Sequence, residues 1–473
     1  MRRALPVLAA VAALAGWLDF SRLQQSQHAD SLVPVMLGLT GWTPFYWGQD
    51  RFGMLVPLLA IPVRAPGAHL LLQGFLDLGL SLWGLLLVVR SLLPRHVRWA
   101  PPAALLLVLL LLLPPENQRF NILWVQPYMP SFALGLAAVG LLFRRGGLRV
   151  GAAAVLLCAA AWINVAFGLV VGPLLVWRAL LVETGRPGAV RLRLVLEGLV
   201  LIGLATYLSS RLSAGVDAYH TPSELLPVLE WRHAASELLR GAWREPGLRA
   251  WVQAALGLAA LGSLGLSWAR VRERAAPVLL AAVGLAATAA VPFLAASTSK
   301  WVALNGYSFR YLDPSLVLLQ GALCLLATLP LIALPRGDEA PIMWGSALAV
   351  AVATLIAVGP PSTHAVTDAF QSRWGATARD VVAVHATHVT GDYWRVWPTV
   401  FTSAWLLGDA GRERWPYGVT DRSLTTLGRA RAVRQPRVAV LDGRTSWLGL
   451  IGPHRWAIAE RRPAFLLVVA AEE

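Results

Sequence analysis

The chain has 473 residues, 56% of them apolar and only 14% charged, with a formal charge of +15. Several apolar runs approach the roughly 20 residues that cross a bilayer as a helix, which reads as an integral membrane protein. The charge does not argue for a nucleic-acid partner: Lys300 is the only lysine, and the arginines recur in small groups between apolar runs, as in loops flanking membrane helices.

In chain order, MRRALPVLAAVAALAGWLDF reads as a retained first helix rather than a cleaved signal peptide. Spans are then expected near 4–20, 68–89, 100–115, 127–143, 150–162, 164–182, 194–210, 250–269, 276–296, 315–335 and 341–359, about eleven in all, with a break or kink at Trp162 to Asn164. With Arg2 and Arg3 inside, every short connection expected on the cytoplasmic side is basic: Arg90, Arg95 and Arg98; Arg144, Arg145 and Arg149; Arg178, Arg186, Arg191 and Arg193; Arg270, Arg272 and Arg274; and Arg336. The odd number of spans puts the segment after about 360 outside. The two cysteines, Cys158 and Cys324, lie in apolar runs and imply no disulfide framework.

From 360 onward the apolar runs shorten. A helix-like stretch over Ala376 to Val389 precedes two strand-like ones, RVAVL at Arg437 to Leu441 and FLLVV at Phe465 to Val469. The fold class is therefore mainly α: a polytopic membrane helical bundle over 1–359, including an outer loop at 21–67, followed by a small soluble extracytoplasmic α/β domain over 360–473.

The outer loop holds most of the chemistry. Asp30 opens a segment with an apolar face, Leu32, Val33, Val35, Met36, Leu37 and Leu39, suited to a helix lying on the membrane surface. Asp50 and Arg51 sit in GWTPFYWGQDRFGMLVP, just before an apolar segment that re-enters the bilayer, so two carboxylates and a guanidinium could meet at the interface. A carboxylate can take the proton of an attacking hydroxyl or amine, and Arg can hold a departing phosphate through paired hydrogen bonds. Trp42, Tyr46 and Trp47 could stack on a sugar or anchor the loop. The plain alternative for Asp50 and Arg51 is an ion pair that closes a turn.

This order of an acid, an apolar helix, a Gly-Trp and a charged aromatic turn resembles the first outer loop of the GT-C glycosyltransferases, specifically the bacterial relatives of protein O-mannosyltransferases and of the lipid A aminoarabinose transferase. The resemblance implies that Asp30 is the catalytic acid residue, that Gly41 and Trp42 form the middle element, and that Arg51 stands where the family has Lys. Two features depart from the family: Asp30 is followed by Ser31 rather than Glu, and DRFGMLVP lacks the double proline.

Three more outer segments agree. Glu116 in ENQRFN could bind acceptor or metal, or be a solvated helix cap. STSKWVALNGYSFRYLDP is similar to the family's Arg-Tyr-Leu-x-Pro element; it puts Lys300, Tyr307 and Arg310 among the substrate-binding candidates, against the commoner fate of such cations at lipid headgroups. The loop over 211–249 could fold as a cover and holds His220, a weak candidate. Asn164 more often makes a structural hydrogen bond. His385 and His388 in HATH have the spacing of a metal pair on a helix but read as surface histidines, and GDYWRVWPTVF reads as a packing segment.

What the resemblance implies is an inverting transferase with a polyprenyl-phosphate-linked sugar donor, Asp30 as general base, and Arg51 with Arg310 or Lys300 on the lipid phosphate. The acceptor would be a glycan, lipid or protein of the cell envelope, with membrane lipid around the protein. A divalent metal such as Mg or Mn on Asp30 and Asp50 is possible in one branch of the family and absent from another. A flippase for a lipid-linked glycan would want polar residues within several spans, where Asp77 and Glu197 are the candidates; a non-catalytic envelope scaffold is the third reading.

Overall fold

The computed structural model describes residues 16–21, 23–24, 27–46, 52–93, 128–144, 148–216, 224–244, 268–327, 329, 348, 352, 355–356, 359–420, 427–443 and 445–471. The longer helices are α1 (Ala29–Thr40), α2 (Pro66–Ser91), α3 (Tyr128–Leu142), α4 (Arg149–Ile163), α5 (Gly168–Leu181), α6 (Gly188–Ala214), α7 (Trp231–Arg244), α8 (Trp268–Thr298), α9 (Asp313–Ala327), α10 (Thr363–Arg373), α11 (Gly375–Ala383) and α12 (Tyr393–Leu407). Five strands follow or interleave with the last of these: β1 (His388–Thr390), β2 (Tyr417–Val419), β3 (Arg437–Leu441), β4 (Trp456–Arg461) and β5 (Phe465–Ala470). By internal contacts the chain forms two compact units. The first takes Met1–Gly16, Asp77–Arg211 and Thr221–Gly359; the second takes Trp17–Leu76, Leu212–His220 and Pro360–Glu473.

The described part of the first unit is helical. Helices α2, α3, α4, α5, α6, α8 and α9 fall on expected spans, whereas the spans at 100–115, 250–269 and 341–359 and most of 4–20 lie largely or wholly outside the described residues. The stretch Ala275–Thr298, with mean hydropathy 2.2, is long and apolar enough to cross a membrane by length and composition. At the anticipated break, α4 stops at Ile163 and the Asn164 side chain accepts from the Ala166 amide at 2.9 Å, starting a separate short turn. Asn164 is thus a buried cap, and the two segments are distinct helices.

The arginines of the basic connections have a structural task. Arg149 donates to the Leu142 carbonyl at 2.5 Å, Arg186 to Phe143 at 2.5 Å, Arg178 to Ser91 at 3.2 Å and Arg191 to Ala179 at 3.3 Å. Each carbonyl lies in or just past the last turn of α3, α2 or α5, where helix oxygens lack intrahelical partners and the dipole favours a cation.

The second unit is built on a five-stranded sheet of order β2-β1-β3-β5-β4. β1 is parallel to both β2 and β3, while β5 is antiparallel to β3 and β4. β3 and β5 coincide with the strand-like runs read from the sequence, because Val-rich stretches of this length favour a pleated, buried surface. The expected helix over 376–389 is cut short: α11 ends at Ala383, His385 takes φ 51°, and the chain leaves as β1.

One expectation is overturned here. The apolar face of α1, suited on sequence to the membrane surface, is buried in protein: Leu32, Val35, Met36, Leu37 and Leu39 share a core with Phe370, Val396, Trp397, Val400 and Phe401 of α10 and α12. An amphipathic period states that a face must be covered and does not name the cover. The first outer loop accordingly groups with the tail from 360, although the sequence reading divided the chain at 359.

Candidate functional site

Asp30 lies in the first turn of α1, where a carboxylate interacts favourably with the helix dipole. Its Oδ1 accepts a hydrogen bond from the Tyr393 hydroxyl at 2.7 Å, across 363 residues of sequence. His28 Nδ1 stands 3.9 Å from Oδ2, and the Asp30 side chain keeps 17% of its exposure. The His28 ring lies on Trp394 at 4.4 Å between centroids, and Trp394 meets Tyr393 edge-on at 4.9 Å. Asp30, His28, Tyr393 and Trp394 thus form one cluster, half from the start of α1 and half from the first turn of α12.

The other end of α1 is tied to the tail as well. Arg412 donates to the Leu39 carbonyl, and Arg429 to that of Thr40 at 2.8 Å. The Arg429 guanidinium lies where a Cβ on Gly41 would stand, so a side chain there would displace it. Trp42 beside it is 41% exposed. Tyr46 packs on the same core with its ring edge-on to Phe52 at 5.7 Å, and the backbone of Phe45 bridges to Gly53. Asp50, Arg51, Glu116 and His220 lie outside the described residues.

Lys300, Tyr307 and Arg310 belong to the first unit. There residues 224–226 run alongside 298–300, with Leu226 N donating to Thr298 O at 2.8 Å and Lys300 N to Glu224 O at 3.1 Å. The Lys300 ammonium ion-pairs with Glu224. Tyr307, at φ 55°, points its ring edge-on to His233 at 5.8 Å. Arg310 donates to Asn305 Oδ1 at 3.3 Å and to the Tyr311 hydroxyl at 3.1 Å, and its guanidinium sits 5.0 Å from the Tyr311 ring centre.

Two residues escaped the sequence reading. Tyr393 was covered only by a packing assignment for GDYWRVWPTVF; the Asp392 N-cap signal, an acid before an apolar run, could have placed Tyr393 at a helix start, though not against Asp30. Asp313, within RYLDP, is 1% exposed, and neither carboxylate oxygen has a hydrogen-bond partner among the described residues.

The histidine pair separates. His385 is exposed in the turn, whereas His388 is fully buried in β1, not on the surface as read. Its Nε2–H donates to the Ala430 carbonyl at 3.0 Å, leaving Nδ1 within 2.8 Å of the Thr387 hydroxyl. Burial holds its imidazole at about 4, well below the usual 6.5, with the Ala430 hydrogen bond opposing that shift. Among the described residues no group of three or more His, Cys, Asp and Glu is placed to hold a metal ion.

No protein-family model and no curated protein matches the chain. A solved structure, the crystal structure of ArnT from Cupriavidus metallidurans in the apo state, is similar to it over 98% of this chain and 98% of that one, at 13% identity and a TM-score of 0.36. A likeness at that score carries no argument about fold, substrate or site.

Proposed function

We propose that this protein is a GT-C-type glycosyltransferase that moves a sugar from a polyprenyl-phosphate donor to an envelope acceptor at the outer face of the bacterial plasma membrane. The observation that carries the reading is the Asp30 carboxylate: it is held by a hydrogen bond from a distant element yet keeps part of its surface open. A buried structural acid would be enclosed, and a solvated one would swing freely. A base must be oriented and reachable.

The membrane part of the proposal rests on the apolar helices. On α6, Leu192, Leu196, Val200, Leu204 and Leu208 recur four apart and are all exposed. A row of that length is a liability in water and the ordinary condition of a helix facing lipid. The N-terminus would then be cytoplasmic and the unit carrying Asp30 extracytoplasmic.

In the reaction, the acceptor oxygen or nitrogen attacks the anomeric carbon while the bond from that carbon to the phosphate oxygen breaks. The polyprenyl phosphate leaves with the electron pair, the acceptor proton passes to Asp30, and inversion follows from attack opposite the leaving group. Arg51 would hold the departing phosphate in a bidentate grip. Should a divalent cation bind, Asp30 and Asp50 would be its ligands and it would neutralise phosphate charge.

The test uses the full chain in lipid nanodiscs with radiolabelled polyprenyl-phosphate sugars, reading release of the free polyprenyl phosphate. Asp30→Asn should lower the rate by about 10²- to 10⁴-fold, the usual contribution of a positioned general base. Turnover by Asp30→Asn at the unmodified rate would sink the assignment, and movement of the lipid without any new covalent bond would point to a flippase.

A further inference from the structure

We infer that Tyr393 is a positioning residue for Asp30, so that the tail supplies part of the working site. This rests on the reading of Asp30 as the general base. A phenol 2.7 Å from a carboxylate oxygen is at the length of a charge-assisted O–H···O bond, about 2.5–2.7 Å, and fixes the carboxyl plane. A base whose plane is fixed presents its oxygens in one direction, and orientation of this kind contributes to rate without contributing to binding.

Tyr393 is itself firmly placed. It is the first residue of α12, whose start is fixed by the Asp392 side chain accepting from Trp394 N at 3.0 Å. Before it, Gly391 takes φ 140°, and a Cβ there would stand 2.8 Å from the Leu441 carbonyl oxygen, so the chain can make this turn only with glycine. After it, Arg395 ion-pairs with Asp442 in the turn that follows β3. Beyond that, Val396, Trp397, Val400 and Phe401 anchor the helix in the core. The Asp392 cap, the Gly391 turn, the Arg395–Asp442 ion pair and the buried core residues thus hold the start of α12, and Tyr393 presents its hydroxyl from that turn to Asp30. Trp394, next in sequence, takes the other side of the cluster, its ring meeting His28 at a 56° tilt.

The experiment joins kinetics to a spectroscopic reading that needs no turnover. In the full chain in nanodiscs, the infrared difference between wild type and Tyr393→Phe isolates the C–O stretch of this phenol, and Asp30→Ala should shift that band. In the release assay, Tyr393→Phe should lower kcat roughly tenfold with KM for the lipid donor unchanged, the signature of an interaction spent on orientation. The double variant Asp30→Asn/Tyr393→Phe should be no slower than Asp30→Asn alone, because a residue that acts through Asp30 has nothing left to orient. A band that ignores Asp30→Ala overturns the inference whatever the kinetics. A shifted band with unchanged kcat in Tyr393→Phe overturns it too, while leaving the glycosyltransferase reading intact. A wild type that releases no polyprenyl phosphate from any donor defeats that reading, and the positioning role falls with it.

Discussion

Helices α1 and α7 differ in composition and in what covers them: Asp30 is the one charged residue of α1, whereas α7 carries Arg232, Glu237, Arg240 and Arg244. Both are short and outside the expected spans, and both carry an apolar period. On α1, eight of twelve residues are buried, most of them against the tail. On α7, Leu238 and Ala242 pack with Ala296, Val302 and Leu312, while Leu239 and Trp243 stay exposed beside Arg232, Arg240 and Arg244. The helix read as interfacial is core, and the segment read as a charged cover carries the Trp-and-Arg surface suited to headgroups.

If α1 is core because α12 covers it, removing the cover should matter most. Trp397 is fully buried in the shared core, and its ring lies so close to Gly418 that a Cβ there would come within 2.9 Å. Trp397→Ala should cost about 3–5 kcal/mol, seen as a large fall in the unfolding midpoint of the detergent-solubilised chain. Next comes acid. Between the usual imidazole value of 6.5 and about 4, the unfolded chain binds a proton at His388 that the folded chain refuses. Stability should therefore fall as pH drops through that window, by at most about 3 kcal/mol, and His388→Gln should flatten this limb of a melting-temperature profile. A profile unchanged by the substitution would mean that β1 does not exclude the charge.

Smaller effects sharpen the contrast. Arg429→Ala removes a cation from the C-terminal carbonyls of α1 and should cost about 1 kcal/mol, read by denaturant unfolding. On α7, Leu239→Ser should move stability by no more than about 0.5 kcal/mol, since that side chain is exposed. The same substitution should instead weaken contact with anionic vesicles, measured by flotation, if the exposed face meets headgroups.

Much of the architecture was legible. Long apolar runs marked α2 to α6, α8 and α9, and apolar β-branched runs marked β3 and β5, because an uninterrupted apolar stretch leaves one dominant pattern. The Asn164 break was visible for the same reason: a capping residue interrupts a run that otherwise has none. The boundary after α11 was missed because VVAVHATHV continues the polar helical stretch before it without a Gly or Pro break, although its valines favour the strand that pairs with β2 and β3. At the site, Asp30 and Gly41 could be named from their surroundings in the chain. Tyr393 and Arg429 could not, because their value lies in contacts spanning more than 360 residues, and local pattern carries no record of such pairings.

The hydrogen bond from Tyr393 to Asp30 also fixes an order of events during synthesis. The acid leaves the ribosome 363 residues ahead of its partner, and Phe370, Val396, Trp397, Val400 and Phe401, which help enclose its helix, are likewise translated long after it. The nascent chain therefore acquires this oriented carboxylate only after Tyr393 has been made.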